Sequence, residues 1–552
     1  MTTFKKILLG VTLLIIFFLV YVPHLDYPMP LHIDEWHHIE EGLRLGNYGE
    51  YFKFLQAENA RRFTGLEIGF HFFLFLVSQF VSLVSIYQFL PALWACLSAL
   101  VIFYVTYKIT DGSFYLGLLS MVFFASIKSN VNITGLWFFT PLTFSIPFIY
   151  LFLYFFTEGL SQEKNKYILY SLLIMTFLLP VHSISFLFFA PVLFFILLFN
   201  YPYVAKNYKL IFSFLLLPLI GLAFYKFILD LSWAEVPLHA FEQLQFKYGW
   251  GVLEVENSFL EIYSLAGYLF AIIGGFCLIY FKQLNKFLLF LIWPLYALLL
   301  IYLYRLTGIS FLSPYQRNLY YFALGLPVLS AVGFYFSSIG VWHFWEKFIS
   351  NKKEALSDDK RLIRVSFNFS HWQKEAIKYT ATILFGATSI FLTFNNYYHL
   401  PADLELYHPI TKEDYETLQY LSSLPAGNVM ATTFVSTAVY PIARKNPVAQ
   451  PVFYGNMSDI LDFYIKGDCQ KKEELIERLA IKYVISPEPL ECNFKVIHSD
   501  KKNIIYLSLI HISEPTRLLS ISYAVFCLQK KNTPTHLQYL TTIATFMYIQ
   551  NF

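Results

Sequence analysis

The chain has 552 residues, 57% of them hydrophobic and only 14% charged, with 60 Phe and 41 Tyr. Long apolar runs recur through most of its length, which excludes a soluble globular enzyme and a disordered chain and indicates a polytopic membrane protein. A formal charge of +3 carries no nucleic-acid signature.

The first apolar run, "ILLGVTLLIIFFLVYV", follows Lys5 and Lys6. It has the look of a signal peptide, but no small-residue cleavage site follows it, so it reads as a retained anchor with a cytoplasmic N-terminus. The positive-inside rule then places spans at 6–23, 88–107, 114–129, 135–157, 165–180, 184–200, 209–229, 262–281, 286–304, 317–340 and 376–396. On this count the loops "YKITDGS", "EGLSQEKNK", "YPYVAKNYK", "FKQLNK" and "NKKEALSDDKRLIR" fall inside and hold most short-loop lysines. The apolar segment 66–83 must then not cross, and it reads as a helix in the outer interface. Were it to cross, there would be twelve spans, the lysines would lie outside and the C-terminus would be cytoplasmic. The expected architecture is mainly α. A bundle of about 11 spans occupies residues 1–396, with an interfacial helix in the first outer loop.

From 397 to 506 the composition becomes that of a small soluble α/β module, expected on the extracytoplasmic side. "ITKEDYETLQYLSSL" reads as a helix capped by Thr411, and "KKEELIERLA" as a charged helix. "NVMATTF", "KYVIS" and "NIIY" read as strands. Cys96 and Cys277 lie in spans as apolar filler. Cys469 and Cys492 are the two cysteines of the soluble module, and outside the cell a disulfide between them is one of two open readings. Residues 507–528, "LSLIHISEPTRLLSISYAVFCL", are the direct translation of two stretches of a transposase-type sequencing adapter in their right order. The tail 507–552 is therefore expected to be non-native, and no function is assigned to it.

Directly after the first span stands "LHIDEWHHIEEGLRLG", residues 31–46, on the outer face of this topology. A carboxylate at a partly dehydrated interface is shifted toward the range of a general base. Asp and Glu also favour the first turn of a helix, so Asp34 and Glu35 suit catalysis and capping equally. His32, His37 and His38 with Asp34 and Glu41 offer metal-ligating groups, but not at a recognised spacing such as His-Glu-x-x-His. A divalent metal is possible there but not favoured, and no other cofactor is expected. His38 lies one turn on from Asp34 and reads as a supporting residue that orients it.

One span followed by an outer loop opening with Asp34-Glu35 resembles the GT-C superfamily of membrane glycosyltransferases. These include the protein O-mannosyltransferases, the aminoarabinose transferases of lipid A, the RgtA/B/C/D-like enzymes and the oligosaccharyltransferases. The resemblance extends to the interfacial helix before the second span and the soluble domain after the last. It implies a sugar donor carried on a polyprenyl phosphate and an acceptor that is a protein, a lipid or a glycan. It implies that Asp34 acts as base toward the acceptor hydroxyl or otherwise positions the acceptor, with Glu35 as the second acid. The oligosaccharyltransferase branch carries a further acidic motif after its third span. Here "SNVNITGLWFFTPLTF" has no acid at all, which sets the chain nearer the metal-independent branches.

A departing polyprenyl phosphate needs cationic stabilisation. In "RLTGISFLSPYQRNLYY", Arg317 stands at the outer end of the tenth span near Tyr315, Tyr320 and Tyr321, with Arg305 across the same short loop. Arg317 resembles the phosphate-contacting arginine that family members place there, and an arginine can hold a phosphate bidentately. A snorkelling arginine in an aromatic belt is the other reading. His182, in the turn "FLLPVHSIS", either contacts phosphate or sugar or serves only the turn. In the outer loop 230–261, Trp233 and Trp250 are candidates for stacking on a sugar ring, and Asn132 and Asn456 fit glycosylation sequons. A transporter would place ionisable groups mid-bilayer and show repeats, which are not seen. A non-catalytic membrane protein with a partner-binding outer domain remains the alternative.

Overall fold

The computed structural model describes residues 2–46, 67–130, 134–209, 259–280, 284–354, 371–395, 408–450 and 457–508, with short pieces between 212 and 247. Among these, six helical segments are long and apolar enough to cross a membrane: Thr3–His24, Leu90–Ile109, Pro141–Ser161, Phe287–Thr307, Tyr315–Phe344 and Glu375–Phe394. The chain is a polytopic helical membrane protein with a C-terminal α/β domain.

The helices that position the site are α1 (Thr3–Tyr21), α2 (Ile33–Arg44), α3 (Ile68–Ser78), α4 (Leu90–Ile109), α5 (Phe114–Ala125), α6 (Pro141–Ser161), α7 (Asn165–Val181) and α8 (Ser183–Phe199). After strand β1 (Gln245–Lys247) come α9 (Leu265–Tyr280) and α10 (Leu284–Thr307). Strand β2 (Ile309–Phe311) then precedes α11 (Tyr315–Gly325), α12 (Pro327–Glu354) and α13 (His371–Phe394). Strands β1 and β2 form an antiparallel ribbon beside α10. The expected span 317–340 is broken at Leu326, because Pro327 has no N–H with which to continue the ladder. The expected span 209–229 lies largely outside the described residues. At ~1.5 Å per residue, the eleven residues of α3 extend about 16 Å, short of a ~30 Å hydrocarbon core.

Close helix contact rests on missing side chains. A Cβ on Gly274 would sit 2.0 Å from the Leu329 carbonyl oxygen, and one on Gly333 would sit 1.8 Å from that of Phe270, so α9 and α12 touch backbone to backbone. The same device clamps α3 on two sides. A Cβ on Gly42 of α2 would lie 2.8 Å from Leu74, and one on Gly69 would lie 2.9 Å from Val181 of α7.

The C-terminal domain comprises α14 (Lys412–Ser423), β3 (Asn428–Met430), α15 (Thr433–Ala443), β4 (Asn446–Pro447), α16 (Cys469–Arg478), β5 (Ile481–Ser486), β6 (Lys495–Ser499) and β7 (Ile504–Leu507). Its sheet order is β4-β3-β5-β7-β6, with β3 parallel to β4 and β5, and β7 antiparallel to β5 and β6. Thr411 caps α14 in a reciprocal pair with Asp414. "NVMATTF" forms a strand only over its first three residues. From Thr433 it is helix, because Val435, Ala438 and Val439 bury one face at helical spacing. Cys469 and Cys492 are joined as a disulfide, their Cα atoms 5.4 Å apart. Cys96 and Cys277 are free and half-buried in α4 and α9. Apart from Leu507 and Ser508, the tail expected to be non-native lies outside the described residues.

Candidate active site

The site begins at the first turn of α2. His32 is its N-cap, and its Nδ1 accepts the Asp34 backbone N–H at 3.1 Å. Glu35 reaches back so that its Oε2 accepts the N–H groups of Leu31 (2.8 Å) and His32 (3.1 Å). Its Oε1 accepts the Phe139 N–H at 2.7 Å, from the loop before α6. The Phe139 carbonyl in turn accepts the Tyr87 hydroxyl at 2.5 Å. Glu35 is 0% exposed, and burial pushes its carboxyl up to about 8 against the pull of these three amide donors. The Asp34 side chain keeps 21% of its surface, with Oδ2 3.5 Å from His32 Nδ1. Of the two expected acids, Glu35 is spent on backbone amides, and Asp34 is the more exposed of the pair.

Arg317 lies in the first turn of α11, where its Nη1 donates to Thr134 Oγ1 at 2.8 Å. Thr134 and Gly135 have φ of 63° and 83°, and Thr134 bridges back to Asn130. A Cβ at Gly135 would fall 2.4 Å from Ser129 Oγ, so this reversal needs glycine. The acid-free stretch "SNVNITGLWFFTPLTF" thus performs two tasks. Thr134 holds Arg317, and a few residues later Phe139 holds Glu35.

The charges of Arg317 and Asp34 reach common neighbours. His32 is lowered by burial, with Asp34 raising it and Arg317 lowering it. Loss of water raises Glu67, which Arg317 lowers and Asp34 raises. Burial pushes His182 down to about 3, with the Arg317 charge adding to the effect, so its imidazole is neutral. His182 Nδ1 is 2.7 Å from Ser185 Oγ, which is 2.7 Å from the Tyr321 hydroxyl. Tyr321 stands one turn beyond Arg317 on α11, so this chain fastens α8 to the helix that carries the arginine.

The other residues expected at a phosphate part from this group. Arg305 Nε donates to the Tyr315 hydroxyl at 2.9 Å, and its guanidinium lies 4.9 Å from the Phe259 ring centre. Tyr315 stacks on Tyr304 at 4.4 Å. Tyr315 and Arg317 are two residues apart on one helix and do not share a face. Trp233 is exposed, with the Lys226 ammonium 5.4 Å from its ring. Trp250, Asn132 and Asn456 lie outside the described residues.

His38 turns toward α3, its Nδ1 3.1 Å from His71 Nε2 and 3.9 Å from Glu67 Oε2. His37 Nε2 is 3.2 Å from Glu41 Oε1, and His71 Nε2 meets Glu41 Oε2. Reading the chain by local motif passed over Glu67 and His71. Their signal was present all the same, as two ionisable residues four apart in the otherwise apolar run 66–83. Thr134 carried no such signal, whereas Tyr321 stood out only as an aromatic neighbour of Arg317.

No family model matches the chain, and no curated protein does. Solved structures do match. ArnT from Cupriavidus metallidurans in its apo state aligns with a TM-score of 0.52 at 12% identity, over 91% of this chain and 97% of that one. The same protein bound to undecaprenyl phosphate gives 0.52 and 12%, over 92% and 98%. The chain shares the fold of ArnT. The oligosaccharyltransferase AglB from Archaeoglobus fulgidus, in complex with an inhibitory peptide and a dolichol-phosphate, aligns with a TM-score of 0.47 at 13% identity, over 88% of this chain and 70% of that one. In this chain α2 is the helix directly after the first candidate span, and the α/β domain closes over its C-terminal end.

Proposed function

We propose that the chain is a membrane glycosyltransferase that moves a sugar from a polyprenyl-phosphate donor to an acceptor hydroxyl on the extracytoplasmic face, with inversion. The observation that carries this reading is the placement of Asp34 and Arg317. Asp34 is a half-buried carboxylate whose neighbour Glu35 is fastened to the 129–140 loop, as Arg317 is, and the charges of Asp34 and Arg317 both act on His32 and Glu67. Asp34, at the positive end of the α2 dipole, takes the acceptor's proton. The acceptor oxygen bonds to the anomeric carbon as the carbon–oxygen bond to phosphate breaks, and the electron pair leaves with the phosphate. Arg317 holds that phosphate, and the neutral His182 beside it offers a ring nitrogen to phosphate or sugar. Glu35 acts as a positioning residue that sets the angle of the Asp34 turn, and Arg305 with Tyr315 serves the approach of the lipid phosphate. The GT-C fold shared with a protein crystallised with undecaprenyl phosphate supports the donor class. The short helix α3 then rests in the outer interface, with Phe72 and Leu76 exposed on its apolar side.

The test is transfer from a panel of radiolabelled polyprenyl-phosphate sugars by the full-length protein in membranes. Transfer by the parent, abolished in both Asp34→Asn and Arg317→Ala, supports the reading. Transfer that persists in both variants removes the assigned residues. No transfer from any donor in the panel removes the reaction and leaves a partner-binding membrane protein.

A further inference from the structure

The reaction proposed above leaves a second group of side chains unused. They are packed between α2 and α3, one turn below Asp34. His37, His38, Glu41 and His71 are all buried, and Glu67 is half-buried at the N-terminus of α3. One ligand atom each from His38, Glu67 and His71 lies within 4.8 Å of the others. His38 Nδ1 and His71 Nε2 approach to 3.1 Å, and His71 Nε2 also meets an oxygen of Glu41. Ligand atoms on a tetrahedral zinc, each ~2.0–2.1 Å from the metal, are about 3.3 Å apart, so these nitrogens have the spacing of neighbours on one ion.

We propose that His38, His71, Glu41 and Glu67 hold a divalent cation of the zinc class between α2 and α3. Two imidazoles and two carboxylates suit zinc and its first-row neighbours better than magnesium or calcium, which take oxygen ligands. The spacing also has a local cause. Residues 38 and 41 share one face of α2, and residues 67 and 71 share one face of α3, so each helix offers a pair of ligands. His37 binds the second oxygen of Glu41 at 3.2 Å and so orients a ligand without being one. The helices are already in contact at Gly42 and Leu74, which leaves the ligands little freedom to lose. The site does not include Asp34 and draws nothing from the acid-free loop 129–140. Sequence spacing favoured no metal because α2 alone holds an incomplete set, and α3 supplies the rest. An ion there pins α3 to the helix that presents Asp34, and its charge one turn away favours the ionised carboxylate.

The experiment uses full-length protein purified in detergent, stripped with chelator and dialysed against zinc chloride, with bound zinc measured by mass spectrometry. One zinc per chain is expected, together with a zinc-dependent rise in Tm. Both effects should vanish in the double variant His38→Ala/His71→Ala, and Glu67→Gln should bind at least tenfold more weakly. His37→Phe should weaken binding by roughly 10–100-fold through the outer contact. Asp34→Asn should retain full zinc content, so that loss of transfer and loss of metal are separate outcomes. If the double variant does not purify, His71→Gln with the Tm readout replaces it. A parent that binds no zinc, or a ligand variant that binds as much as the parent, overturns the proposal.

Discussion

The two ends of α2 have opposite fates, although both are rich in acid. At the N-terminal turn Asp34 and Glu35 are adjacent, yet Glu35 is sealed against three backbone amides while the Asp34 side chain keeps 21% of its surface. At the C-terminal turn nothing stays open. Arg44 donates to Glu40 at 2.8 and 2.7 Å and to Asn446 at 3.2 Å, and its guanidinium stacks 3.7 Å over Tyr440. Gln450 donates to the other Glu40 oxygen at 2.8 Å. One end of the helix presents a carboxylate, and the other is a closed polar weld to the α/β domain. Charge alone does not make a site; what distinguishes the two ends is how far the neighbouring elements bury the carboxylate.

Substitutions at six positions probe that contrast. The largest effect is expected from Asp34→Asn, which keeps shape and removes basicity. Transfer should fall by about 10²–10⁴ with Tm unchanged. Arg317→Ala should lower transfer by about 10²–10³, and Arg317→Lys should recover part of it, because lysine offers charge without the planar fork. Arg44→Met leaves Glu40 buried beside a single amide and should cost about 3–5 kcal/mol of stability, read in detergent unfolding. A double variant Glu40→Leu/Arg44→Met should restore much of that loss. Glu35→Leu should cost about 1–3 kcal/mol for each amide donor left unpaired, and transfer should fall as the Asp34 turn loosens. The smallest effect concerns pH. Unfolded His182 binds a proton near pH 6.5, whereas the folded chain binds it only near 3. Its contribution to stability is therefore complete above 6.5 and is lost as pH falls toward 3. His182→Gln should flatten the decline of Tm across that window, and an unchanged slope would contradict the burial of a neutral ring.

Much of this was legible locally. The apolar runs marked the helices now seen at 3–21, 90–109, 141–161 and 371–394. Thr411 announced its cap, and Asp34-Glu35 stood out as acids beside a span. Arg317 was visible as an arginine at a helix start. The boundaries that failed did so where neighbours decide. A β-rich "ATTF" gave way to helix from Thr433 because a helix buries Val435 and Val439 on one face. The expected phosphate group divided because Tyr315 and Arg317 point to different faces of α11.

Composition and periodicity by themselves determined that this chain is a helical membrane protein with a mixed terminal domain, since apolar transfer free energy and helical repeat are properties of short stretches. They also determined where its scarce ionisable residues stand. Only the tertiary structure decided which of them are spent and which are available. That outcome depends on whether an amide from the 129–140 loop reaches Glu35 and whether α3 brings Glu67 and His71 against His38. Such pairings join residues 33 to more than 100 positions apart, and no local pattern encodes them.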